Sequence, residues 1–215
     1  MLKPKEKATS FNNRKLVDTN IKKYLLEKFP GYTQVISMAK KVINMESFLQ
    51  RNYGVPNDGD CSLTSVMTCI YYYTEGKIKD TVIYDVVRKH AEKLFFSKEI
   101  GTNPLLIKTI YDKSLAELKI NRKTYSGYLK NIGYNLSVIK NSLHKNNPLI
   151  FSMFNDGRNY YKNHSIVILG YETFRLKADD GKIKNVDMLI IYDNWSKNIG
   201  YVDYDLVSEI SCINY

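Results

Sequence analysis

The stretch "HSIVILGYETFRLKADDGKIKNVDMLIIYDNW", residues 164–195, limits the possible folds of this chain more than any other. Two runs rich in β-branched and aromatic residues, 164–174 and 186–195, flank "KADDGK". An Asp-Gly step between such runs is a hairpin signal. Two antiparallel strands follow, and His164 and Asp193 fall at the same end of the ladder. A hairpin this apolar cannot stand alone in water and needs neighbouring strands or a second layer. "PLIFSMF" (148–154) and "GYVDYD" (200–205) supply further strand-like runs.

The texture before residue 148 is different. Apolar residues recur at helical spacing in Leu16, Ile21, Tyr24, Leu25 and Phe29, then break at "FPGY". Val35, Met38, Val42, Met45 and Leu49 predict a second helical piece. Helices are also predicted from Cys61 to about Tyr73 and over 79–97, weakly over 103–118, and over 125–145. The class is therefore α+β: a helical N-terminal half packed against a C-terminal antiparallel β-sheet. Residues 1–15 are polar and basic and read as disordered. Residues 16–50 read as a helical N-terminal layer of the fold, with a removable pro-segment as the alternative. Residues 51–215 form the main domain.

No apolar run reaches the length of a membrane span. The opening "MLKPKEKATSFNNRK" has no apolar core, so no signal peptide is visible and the compartment stays open. The net charge is +10, but the lysines are scattered, and Asn, Ile and Tyr are in excess with them. That joint excess resembles the coding bias of an AT-rich genome. With no aromatic-basic binding motif present, it argues against nucleic acid as the partner.

The segment "PNDGDCSLTS" places Cys61 on the first turn of a helix, directly after a crowd of turn formers. A helix start carries partial positive charge and unpaired N–H groups. A thiolate there is stabilised, and its pKa falls from about 8.5 toward 3.5–7.5. A small buried hydrophobe is the plainer reading of any lone cysteine. Cys69 lies two turns on amid Met67 and Ile70 and reads as core, and Cys212 reads as structural. The three cysteines form no CxxC pair, and their odd number argues against a disulfide framework. A base for Cys61 must come from three histidines. His90 sits mid-helix beside Lys89 and Glu92, which reads as a solvated face. His144 ends a helix, where a histidine is a favourable charge. His164 opens a strand beside "NDGRNYYKN" and faces a cleft. Asp193, at the same end of the hairpin, is placed to fix the imidazole tautomer and leave the other nitrogen for a thiol.

The order of "DCSLTS", "NHSIVILGYE" and "YDNW" resembles that of the papain-like cysteine peptidases, nearest in texture to bacterial C39-like and staphopain-type enzymes, over roughly residues 50–210. The resemblance implies a papain-like fold and a peptide or protein substrate, with no metal or organic cofactor. It implies Cys61 as nucleophile, His164 as base and acid, Asp193 as the orienting group, and Trp195 as a shield over the pair. Two departures stand out. The family places a glutamine shortly before the cysteine to donate to the oxyanion, and Val55 stands there; Asn57 can supply an amide beside the Cys61 N–H, or can serve only the turn. Ser62 replaces a common glycine. Two other readings stay open: an acyl transferase or transglutaminase-like enzyme on the same triad, and a catalytically inactive basic interaction or nucleic-acid-binding module.

Overall fold

The hairpin forms the spine of the sheet. In the computed structural model, β4 (His164–Lys177) pairs antiparallel with β5 (Ile183–Tyr192), from Val167 opposite Tyr192 to Lys177 opposite Ile183. The turn closes through Ala178 N–H to the Lys182 carbonyl at 3.0 Å, with Gly181 at φ +86°. That left-handed residue is the one a glycine adopts without steric cost. The structure describes residues 15–53, 59–94, 96–97, 101–128, 136–153, 160–161, 163–206 and 212–214.

Along the chain run α1 (Asp18–Lys28), β1 (Gln34–Val42), α2 (Cys61–Tyr73), α3 (Asp80–Glu92), α4 (Ile107–Glu117), β2 (Ser126–Tyr128), α5 (Leu136–His144) and β3 (Leu149–Met153). After the hairpin come β6 (Gly200–Asp203) and β7 (Cys212–Asn214). The sheet order is β2-β7-β3-β4-β5-β6, every pairing is antiparallel, and β1 also pairs with β4. The architecture is α+β, as the change of texture predicts.

β4 is long enough to hold two partners on one edge. β3 takes residues 164–168 and β1 takes 170–177. Gly170 stands at the handover, where an added Cβ would lie 2.3 Å from the Lys41 carbonyl oxygen. No side chain fits there, so the close approach of β1 requires glycine.

Two expectations are corrected. Residues 34–42 form an edge strand, not a second helix. Val35, Met38 and Val42 fit a helical spacing, but the free edge of β4 offers main-chain hydrogen bonds that decide the conformation, and Met38 stays 46% exposed. Exposed Lys40 and half-buried Lys41 suit such an edge. The predicted helix over 125–145 is confined among the described residues to 136–144; Ser126–Tyr128 instead pairs with Cys212–Asn214. Gly127 disfavours helix there. The stretch 1–14 lies outside the described residues.

The core lies between the helices and the sheet. Every residue of α2 from Ser62 to Ile70 is buried. A helix buried all round sits inside a fold, not on its surface. Leu63, Val66, Met67 and Ile70 each contribute roughly 1.5–3 kcal/mol by leaving water. α2 packs on β3 and β4 and is covered by α3 and α4. Ile21, Tyr24 and Leu25 of α1 belong to the same core.

Candidate active site

The central helix begins at the cysteine. Cys61 is the first residue of α2, and the first intrahelical bond runs from the Thr64 N–H to the Asp60 carbonyl at 2.9 Å. The N–H groups of Cys61, Ser62 and Leu63 precede that bond, as helix geometry dictates. Burial pushes the Cys61 thiol up. A hydrogen bond and charge from His164, a main-chain hydrogen bond from Ser165 and the Ser62 side chain outweigh it, so the thiol sits below its ordinary value. Cys69, on the same helix, has no such partners, and burial pushes its thiol up to about 12.

His164 is the first residue of β4 and is buried. Its Nε2 lies 2.7 Å from the main-chain oxygen of Asp193. A carbonyl can only accept, so Nε2 carries the proton and Nδ1 is the nitrogen left for the thiol. The imidazole packs in a triangle of rings with Trp195 and Tyr161, whose own centroids are 5.6 Å apart. Trp195 stacks on it at 4.1 Å between centroids and Tyr161 at 6.0 Å. Trp195 remains 42% exposed on its outer side.

Asp193 therefore meets His164, but through its backbone. The expected carboxylate contact is replaced by a carbonyl contact, and the cause is local. Asp193 Oδ1 accepts the N–H groups of Trp195 at 3.1 Å and Ser196 at 2.9 Å, and Oδ2 accepts from the Lys15 ammonium. The Ser196 hydroxyl donates to Oδ1 as well, at 3.3 Å, and these four donors hold the buried carboxylate at the 193–196 turn. Asn57 and Val55 lie outside the described residues.

The remaining histidines stand elsewhere. His144 ends α5 with Nε2 3.0 Å from the Tyr171 hydroxyl. His90 is not on a solvated face: its side chain is 13% exposed and meets Glu117 at 3.0 Å. Among the described residues no group of three His, Cys, Asp or Glu side chains is arranged to hold a metal ion. No helix among them is long and apolar enough to cross a membrane.

Residues 42–211 match the sequence profile of the Peptidase C39 like family. The chain belongs to that family. No curated protein matches it. The family match spans all the residues just described around Cys61 and His164, except Lys15.

In this C39-like chain a set of buried polar groups fixes the helix start to the sheet. Asn194 Nδ2 lies 3.1 Å from the Cys61 carbonyl, 2.8 Å from Ser65 Oγ and 3.0 Å from the Ser165 carbonyl. Asn194 adopts φ +60°, a region asparagine tolerates better than most residues. Ser62, Ser165 and Ser152 link hydroxyl to hydroxyl at 2.8 Å each. Buried and linked in this way, these donors and acceptors set one geometry between α2 and β4, although Asn194 Oδ1 itself accepts no hydrogen bond from the described residues. Neither Asn194 nor the serine chain is singled out by sequence. The one available signal is the place of Asn194 between Asp193 and Trp195 in "YDNW".

Proposed function

We propose that this chain is a thiol hydrolase that cleaves peptide bonds through an acyl thioester on Cys61. The carrying observation is the thiol held below its ordinary value by an imidazole whose far nitrogen is tied to a carbonyl. The Cys61 thiolate attacks the substrate carbonyl carbon, and a tetrahedral oxyanion forms. The carbon–nitrogen bond breaks, and the amine leaves with the proton carried by His164. Water then attacks the thioester, gives a proton to His164, and releases the acid as Cys61 regains its hydrogen. The Cys61 N–H at the open helix start is one oxyanion donor, and the Asn57 amide is the second. Asp193 acts as orienting residue through its carbonyl, and Trp195 covers the imidazole from water. The substrate is a peptide or protein.

The test is digestion of a defined peptide mixture, read by mass spectrometry. Wild-type protein should release fragments, and Cys61→Ser and His164→Ala should release none. Equal cleavage by Cys61→Ser would refute the reading. Fragments capped by an added amine in preference to water would make the enzyme an acyl transferase.

A further inference from the structure

Lys15 reaches the site from a part of the chain that the mechanism does not use. Its ammonium donates to the Asp193 carboxylate and, at 2.6 Å, to the Ser196 hydroxyl. The backbone around it is fixed. The Lys15 carbonyl accepts from Asn20 Nδ2 at 3.0 Å, and the neighbouring Leu16 carbonyl accepts the Tyr201 N–H at 2.8 Å. The Leu16 side chain is buried. Lys15 thus stands on a segment tied to α1 and to β6. The side chain it meets, Asp193, is 1% exposed. Among the described residues, Lys15 is the one cation paired with that carboxylate.

This pairing bears on the proton of His164. A charged carboxylate stabilises an imidazolium strongly, whereas a carbonyl dipole orients the ring with less charge stabilisation. A group that must take and release a proton in each cycle works best with a pKa near the working pH. Resting on the reading of Cys61 and His164 as the reacting pair, we propose that Lys15 is a positioning residue: it neutralises Asp193 and holds its carboxylate in the 193–196 turn, leaving the carbonyl as the group that orients His164. Among the described residues, the titratable groups around the imidazole are the Cys61 thiol from α2, the Tyr161 phenol from the segment before β4, and Asp193 from the segment after β5. Burial and the Asp193 charge hold the Tyr161 phenol above its ordinary value, so it stays protonated through the working range. A change of charge balance at Asp193 therefore falls on His164 and the Cys61 thiol paired with it.

The experiment is an NMR titration of the His164 imidazole in the full chain without substrate, beside the pH profile of turnover. In Lys15→Met the His164 midpoint should rise by about 0.5–1 pH unit, and the alkaline edge of turnover should move with it. Lys15→Arg keeps the charge and should keep the wild-type midpoint. In an Asp193→Asn background, Lys15→Met should cause a smaller shift, because only the direct effect of the ammonium on the imidazole remains and no carboxylate is released. A folded Lys15→Met protein with an unmoved midpoint overturns the proposal, and so does a shift of undiminished size beside Asp193→Asn. If Lys15→Met does not fold, Asp193→Asn alone decides: a fall of the midpoint by more than about one unit would show that the carboxylate acts on His164 despite Lys15. The titration needs no peptide, so a chain that shows the Lys15 shift but cleaves nothing would count against the hydrolase reading alone.

Discussion

At the scale of single residues, two cysteines of one helix divide sharply. Cys61 sits below its ordinary value and is partly exposed, while Cys69 is buried at about 12. A low folded pKa means that thiolate persists as pH falls, so iodoacetamide at about pH 6 should label Cys61 at least tenfold faster than Cys69. Peptide mapping checks it, and equal labelling would contradict it. Cys61→Ser should end turnover with little loss of melting temperature. Asp193→Asn keeps the carbonyl that accepts from Nε2, so it should cost less turnover than His164→Ala, which removes the group that moves the proton. Steady-state rates of the two variants give the ranking. Cys61 and His164 are legible in the sequence because reactive residue types are few and their order is informative. The contact from Asp193 is not, because a backbone carbonyl carries no residue identity.

At the scale of elements, the joint between α2 and the hairpin matters most. Asn194 joins the Cys61 turn to Ser165 and so fixes the thiol relative to the imidazole. Asn194→Gly keeps the left-handed backbone accessible and deletes only the amide. It should cost about 1–3 kcal/mol of stability, since it leaves buried acceptors unpaired, and it should also lower the alkylation rate of Cys61. Denaturant melts and alkylation kinetics read the two effects separately. The hairpin, α2, α3 and the strand 149–153 are legible because their periodicity and turn chemistry agree with their environment. The strand 34–42 is not. Its spacing suits a helix equally, and only the edge of β4, set by residues far along the chain, selects the strand. Gly170→Ala should push β1 off that edge and lower the melting temperature by several degrees, because the Lys41 carbonyl leaves no room for a Cβ.

At the scale of the whole molecule, the thiol comes from the helical half and the imidazole from the sheet, so the pair exists only while the two are docked. Residues 15–50 share that docking: α1 fills the common core and β1 extends the sheet. A chain begun at residue 44 should therefore lose its cooperative melt instead of behaving as a peptidase freed from a pro-segment. Calorimetry and activity on the truncated protein distinguish the two outcomes. The most direct test of the thiol–imidazole pair is the ultraviolet absorbance of thiolate, followed through pH as the difference between wild-type protein and Cys61→Ser. The expected result is a thiolate signal in the folded protein that persists to lower pH than a free cysteine's, and that is lost in His164→Ala and on unfolding. A Cys61 that becomes thiolate only above about pH 8.5, as a free cysteine does, would contradict the account.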